Sequence, residues 1–353
     1  MLQRVENLRN RMKEKDLDAV LIYKPENRRY ISGFTGSSGY ALITREKAYF
    51  ITDFRYIEQS SNQCQGYEIV QHDNSKTVIS ILHNLKLRNL GFEEDFVTYG
   101  QYLEMKEKLE ATELIPLKGL FNTLRIKKYD QEIQYIQKAA QIADEAFTYI
   151  CDFIKPGVKE IDVALELEMF MKKKGASGIS FESIVASGVR SSLPHGVASD
   201  KIIEDGDFVT LDFGCIYNGY CSDMTRTVVV GSASDKQKEI YRIVLEAQEA
   251  ALTAIKPGVS GFDVDKIARD IIAKNGYGDY FGHSLGHGVG LEIHESPRLS
   301  PASTDQLEAG MIVTDEPGIY LPDFGGVRIE DLILVTEDGC KILSKSPKEL
   351  IEL

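Results

Sequence analysis

The strongest constraint on how this chain can fold is a repeat. Ile154-Lys155-Pro156-Gly157-Val158 returns as Ile255-Lys256-Pro257-Gly258-Val259, Asp162-Val163 as Asp263-Val264, and Gly175 as Gly276, each 101 positions later. Each copy follows a long stretch of helical periodicity, about 131–153 and 236–254, and precedes a shorter one, about 162–174 and 263–275. Pro-Gly makes the turn between the two helices. The correspondence continues into strands: residues 204–214 parallel 308–318, and a His-Gly-Val triplet precedes each, at His195 and at His287. Two helix-helix-strand units of this kind are expected to pack about a pseudo-two-fold axis. Their strands would form one curved antiparallel sheet with four helices on its outer face. Asp212 and Glu316 would then meet on the inner face, at matched strand ends.

The first 125 residues lack the repeat. Leu2, Val5, Leu8 and Met12 form a helical stripe, and residues 19–23 read as a buried strand. Residues 39–44 and 48–52 suit a hairpin around Arg45-Glu46-Lys47, and 67–71 and 90–93 suit further strands. That alternation predicts an α/β layer domain. Residues 112–130, punctuated by Pro116 and Gly119, read as a linker. The expected organisation is an α/β (α+β) chain with domains at 1–125 and 126–353, in keeping with the length prior for 353 residues.

Composition narrows the partners. A net charge of −13 argues against nucleic acid and anionic membranes, both of which need clustered Lys and Arg. No apolar run approaches the roughly 18 residues that span a bilayer, and charge interrupts the first ten residues too early for a signal-peptide core. Five cysteines, odd in number and without CxxC spacing, predict a reduced, cytoplasmic protein.

The chemistry concentrates in the second half. Asp212 ends the apolar run Phe208–Leu211, where an ionised carboxylate costs several kcal/mol unless paired or bound to metal. Asp223 lies eleven residues on, past an Asn218-Gly219 hairpin signal, so the flanking strands bring the two acids together. Taken singly, Asp212 also suits a cap for the turn at Gly214, and Asp223 an ion pair with Arg226. Two adjoining carboxylates call for a cation between them. Of six histidines, His283, His287 and His294 fall within twelve residues. Gly286, Gly288 and Gly290 argue against a helical zinc pair there and for an extended segment that allows close backbone approach. Glu316 precedes Pro317-Gly318, and Arg328 and Glu330 alternate onto one strand face, which by itself would also suit a surface ion pair. Four carboxylates and one imidazole favour Mn²⁺ or Fe²⁺, with Co²⁺ or Zn²⁺ acceptable. Five such ligands suit two ions about 3.5–4 Å apart.

The ordered series Asp212, Asp223, His287, Glu316, Glu330, together with the 283–295 segment, resembles the pita-bread metallopeptidases: prolidase, aminopeptidase P and methionine aminopeptidase. Residues 27–39 and Asp53-Phe54-Arg55-Tyr56 resemble the N-terminal domain shared by prolidase, aminopeptidase P and creatinase. Methionine aminopeptidase lacks that domain, and creatinase lacks the five ligands.

The resemblance implies two divalent ions, manganese first, with Asp212 on one, His287 and Glu316 on the other, and Asp223 and Glu330 bridging. A hydroxide between the ions would attack the carbonyl before proline. His195 and His294 would stabilise the oxyanion, His283 would line the pocket, and Glu316 would carry the proton to the leaving nitrogen. Arg298, Arg328 and Tyr320 are expected near a substrate carboxylate. The expected activity is Xaa-Pro dipeptidase, with aminopeptidase P as the alternative and an inactive binding module as the distant rival. The expected partners are an Xaa-Pro peptide and, by resemblance alone, a second copy of the chain.

Overall fold

In the computed structural model, which describes residues 2–353, the chain divides into two units, the first ending at Arg125 and the second spanning Ile126–Leu353. The first is a six-stranded sheet of β1 (Ala19–Ile22), β2 (Tyr40–Thr44), β3 (Ala48–Thr52), β4 (Glu68–Gln71), β5 (Asn89–Phe92) and β6 (Glu113–Pro116), in the order β4-β3-β2-β1-β5-β6. Its helices are α1 (Leu2–Glu14), α2 (Pro25–Ser32), α3 (Ile57–Gln63), α4 (Val78–Asn84), α5 (Tyr99–Lys108) and α6 (Leu120–Arg125). All four residues of β1 are buried because that strand is central. Val5, Leu8 and Met12, three and four apart, give α1 its buried face. Leu2, expected in that stripe, is instead 77% exposed at the first residue of the helix. The predicted linker at 112–130 is also corrected, since β6 and α6 occupy most of it. Pro116 misleads because β6 is an edge strand, where a missing N–H need not remove a ladder bond.

In the second unit the two copies of the repeat fold alike. The helix pairs are α7 (Asp130–Phe153) with α8 (Glu160–Lys173) and α9 (Asp235–Ala254) with α10 (Gly261–Lys274). Between them Gly157 and Gly258 take φ of 94° and 82°, a conformation that costs other residues energy. Their amides donate to Ile203 O and Leu307 O, equivalent carbonyls in the two copies. The strands are β7 (Gly178–Ile179), β8 (Ile184–Ser187), β9 (Phe208–Phe213), β10 (Cys215–Tyr217), β11 (Tyr220–Cys221) and β12 (Met224–Val229) in the first copy. The second has β13 (Gly286–Gly288), β14 (Glu295–Leu299), β15 (Ile312–Asp315), β16 (Gly318–Leu321), β17 (Gly325–Arg328), β18 (Asp331–Val335) and β19 (Cys340–Ile342).

All of these pairings are antiparallel. Hydrogen bonding divides the expected single sheet into four ladders: β11-β10-β7, β12-β9-β8, β14-β13-β15-β18-β19 and β16-β17. The halves meet at a seam where the Thr227 hydroxyl, rather than a backbone ladder, links β12 to Arg328 on β17. The backbone bond from Glu330 N to Thr225 O at 3.1 Å continues it.

Alternation along the strands sorts core from site. Val209, Leu211 and Phe213 of β9 and Met224 and Val228 of β12 pack in one apolar core with Ile142, Phe147 and Leu167 of α7 and α8. Val313, Ile333 and Val335 pack in the equivalent core with Val244, Ala247 and Val264 of α9 and α10. The residues between them, Thr210, Asp212, Thr225, Thr227 and Thr314, are buried and polar. On a strand they project to the face opposite the helices.

Candidate metal centre

Asp212 leaves β9 opposite Thr225 of β12, and Asp223 lies one residue before β12 begins. The turn from β10 to β11 passes through Asn218 (φ 45°) and Gly219 (φ 79°), the left-handed pair a tight hairpin needs. His287 sits on β13, which pairs with β14 and β15. Only glycine fits around it. A Cβ on Gly286 would stand 2.0 Å from Thr314 O, and one on Gly288 would stand 2.2 Å from Ser296 O. The His287 amide donates to Thr314 Oγ1 (3.0 Å), and its Nδ1 lies 3.0 Å from Gly288 O. That fixes the ring with Nε2 facing Glu316 Oε1 at 3.3 Å and Asp223 Oδ2 at 3.5 Å. Glu316 follows β15 and accepts from Thr314 Oγ1 at 3.0 Å. Glu330 lies between β17 and β18 and accepts from Thr225 Oγ1 at 2.6 Å.

All five side chains line one cavity of about 420 Å³. Ligand atoms of Asp223, His287 and Glu330 lie within 4.8 Å of one another. Asp212 Oδ1 and Glu330 Oε1 are buried without a hydrogen-bond partner. Burial raises the Asp212 pKa against the pull of Arg328. Burial and then neighbouring carboxylates, with Asp212 nearest in effect on Asp223 and Asp223 on Glu330, hold those two well above the usual range. Burial also acts on Glu316, but the His287 hydrogen bond and the charges of His287, His283 and Arg328 bring it down to about 2. Four acids converge without enough cations to neutralise them, and two buried oxygens point at no donor. Divalent cations fit that donor set.

The remaining predicted residues divide between the cavity and its support. His195, His294 and Arg298 are exposed and line the cavity. The His294 ring sits 4.3 Å from that of His287; although the residue's surface reaches solvent, desolvation of the ring against the cavity wall, then the charges of His287 and Arg298, lowers its pKa to about 4. His283 also lines the cavity, but both its ring nitrogens are engaged, with Ser284 O at 2.8 Å and Tyr320 Oη at 2.7 Å.

Arg328 lines the cavity too and is bonded to Tyr320 behind it. Each Arg328 nitrogen donates to the protein: Nε to Thr225 Oγ1 (3.1 Å), Nη1 to Tyr320 Oη (2.8 Å) and Nη2 to Asp212 Oδ2 (2.7 Å). Tyr320 lies outside the cavity lining. The pair braces Asp212 and, through Thr225, Glu330. The alternative partner for Asp223 is also displaced, because Arg226 pairs with Asp331 at 2.8 Å.

Sequence reasoning missed the cavity's apolar wall, Phe181, Ile184, Pro194, Val197 and Ile293, and the rim acid Glu182. The available signal was register. Once β8 pairs with β9, Ile184 stands opposite Asp212 and carries 181–182 to the cavity.

Among the described residues no helix is long and apolar enough to cross a membrane. Two family patterns match: metallopeptidase family M24 over residues 134–337, and the creatinase/prolidase N-terminal domain over 4–127. The fold is similar to that of an Xaa-Pro dipeptidase from Bacillus anthracis, with a TM-score of 0.97 and 54% identity over 100% of this chain and 99% of that one. It is similar to the prolidase of Pyrococcus horikoshii OT3, with a TM-score of 0.94 and 45% identity over 99% and 100%. An X-Pro aminopeptidase from Thermotoga maritima matches with a TM-score of 0.93 and 38% identity over 99% and 100%. With the acid-and-imidazole cluster in place beneath that likeness, the chain belongs to metallopeptidase family M24, a metal-dependent peptidase with a creatinase/prolidase N-terminal domain.

Proposed function

We propose that this protein hydrolyses the peptide bond preceding proline, acting first as an Xaa-Pro dipeptidase. The observation that carries the reading is the convergence of Asp212, Asp223, His287, Glu316 and Glu330 on one cavity with two orphaned carboxylate oxygens. Likeness at 54% and 45% identity to an Xaa-Pro dipeptidase and a prolidase supports the substrate class.

In this reading Asp212, Asp223, His287, Glu316 and Glu330 would hold the divalent ions, which would supply Lewis acidity and an acidified water at neutral pH. The chain's own residues do the rest. Glu316, with Oε1 fixed by Thr314 and His287, takes up a proton at a carboxylate oxygen and returns it to the proline nitrogen. His294 and His195 project into the cavity with ring N–H groups able to meet the carbonyl oxygen as it gains charge. His283 is held in place by Tyr320 and Ser284 at the same wall. Among the described residues the Arg298 side chain has no hydrogen-bond or ion-pair partner, so its guanidinium at the cavity wall is available to a substrate carboxylate. The X–Pro bond is a tertiary amide with no N–H to satisfy. Phe181, Ile184, Pro194, Val197 and Ile293 give its ring an apolar surface that demands no donor.

Manganese is the preferred ion on the oxygen-rich donor set. Five free cysteines suit a reducing cytoplasmic setting. A homodimer rests on family resemblance.

Release of an N-terminal residue from longer Xaa-Pro peptides is the second reading, favoured by the likeness to the X-Pro aminopeptidase. Hydrolysis of Ala-Pro and Ala-Pro-Ala, measured with metal content on one sample, separates them. Turnover of Ala-Pro with little of Ala-Pro-Ala supports the dipeptidase; turnover of the tripeptide alone replaces it with the aminopeptidase.

A further inference from the structure

A second pair of acids stands directly behind the metal-facing pair. Asp315 precedes Glu316, Asp331 follows Glu330, and the two aspartates are Cα partners across β15 and β18. Successive strand side chains leave on opposite faces. Asp315 and Asp331 therefore enter the helix-covered side, where they are 0% and 1% exposed. Asp331 binds Arg226 Nη2 at 2.8 Å, Lys348 Nζ at 3.0 Å and Gln248 Nε2 at 3.1 Å. The same Gln248 amide reaches Asp315 Oδ2 at 3.3 Å, and Lys348 Nζ donates to Gln248 Oε1 at 2.8 Å. Asp315 Oδ1 is buried without a partner. Among the described residues Gln248 is thus the one side-chain donor to Asp315, and Lys348 orients that donor.

Lys348 belongs to the C-terminal tail, which is itself anchored beneath the site. Asp144 accepts from the backbone amides of Lys345 and Ser346, each at 2.8 Å. Tyr241 Oη donates to Lys348 O at 2.8 Å, and Arg226 donates to Pro347 O and Ser346 O. A buried carboxylate keeps its place only while its partners hold it. Each rear acid shares a peptide link with a front one, so a shift in the rear pair moves Glu316 and Glu330 in the cavity.

We propose that Lys348, acting through Gln248, Asp331 and Asp315, is a positioning residue that sets divalent-metal affinity at Glu316 and Glu330. The proposal rests on the reading of those two glutamates as metal ligands. Loss of a residue that orients a metal ligand typically costs about 10–100-fold in affinity.

The test uses the full chain stripped of metal and titrated with Mn²⁺ by calorimetry, with a melting curve recorded for each variant. Lys348→Met and Gln248→Met are each expected to weaken at least one Mn²⁺ site by about tenfold or more. Lys348→Arg, which keeps the cation, should recover most of the loss. Lys345→Met removes an exposed charge from the same tail and should match wild type. If Lys348→Met does not fold, Gln248→Met carries the measurement. Folded Lys348→Met or Gln248→Met protein with wild-type Mn²⁺ affinity overturns the proposal. An equal loss in Lys345→Met also overturns it, because a diffuse charge effect then suffices. Wild-type protein that takes up no Mn²⁺ fails at the metal-ligand reading, before the role of Lys348 arises.

Discussion

Gly286→Ala adds one methyl group at the narrowest point behind the metal ligands. Its Cβ would fall 2.0 Å from Thr314 O, where ordinary contact begins near 3.4 Å. The obstacle is backbone, so β13 and β15 must separate by about 1.4 Å along that direction, or bend to the same effect. His287 and Glu316 ride on those two elements, 3.3 Å apart. A misplacement of about 1 Å at reacting groups costs roughly 100-fold in rate, and overpacking a tight site costs about 1–3 kcal/mol of stability. Gly286→Ala should therefore lower kcat/KM on Ala-Pro by about 100-fold, with weaker Mn²⁺ binding and a modest fall in melting temperature. Steady-state kinetics and a metal titration on the same preparation measure this. Activity within threefold of wild type, with metal affinity unchanged, would refute the claim that β13 and β15 set the ligand geometry.

Arg328→Met strands the buried Asp212 carboxylate, and removing one partner of such a pair costs about 3–5 kcal/mol. Urea unfolding of the metal-free protein should show that loss, and Arg328→Lys, which keeps the charge but not the three-way geometry, should fall between. His294 is held neutral down to about pH 4, against 6.5 when unperturbed, so the unfolded chain binds more protons across that window. Its contribution to metal-free stability is complete above pH 6.5 and declines as pH falls toward 4. Melting temperatures at several pH values should show the decline, and His294→Gln should flatten it. Chelation should abolish activity, and returning Mn²⁺ at 100 times its Kd should stabilise the fold by about 2.7 kcal/mol per site. An unshifted melting curve on adding Mn²⁺ would count against cations at the acid cluster.

Much of the catalytic half could be read from sequence because its signals are local. Pro156-Gly157 and Pro257-Gly258 fix matching turns whatever surrounds them, and the duplicated strands carry Asp212 and Glu316 to one place. Gly286, Gly288 and Gly290 excluded a helix around His287, and the structure has a strand there. What sequence did not yield depends on packing partners. Pro116 reads as a break until β6 is known to be an edge strand. Leu2 fits the apolar stripe of α1 in spacing but not in burial. The commitment of Arg328 to Asp212, Tyr320 and Thr225 joins residues from distant segments, so spacing carries no sign of it. Asp223 and Arg226 are neighbours in sequence, yet an odd spacing along an extended chain turns them to opposite faces. Arg226 accordingly meets Asp331 on the helix side.

The most direct measurement is anomalous diffraction from crystals grown with Mn²⁺. Two peaks about 3.5–4 Å apart, both within bonding distance of the set Asp212, Asp223, His287, Glu316 and Glu330, are the expected result. Peaks liganded elsewhere, or a cavity without anomalous density at saturating Mn²⁺, would contradict the proposed centre.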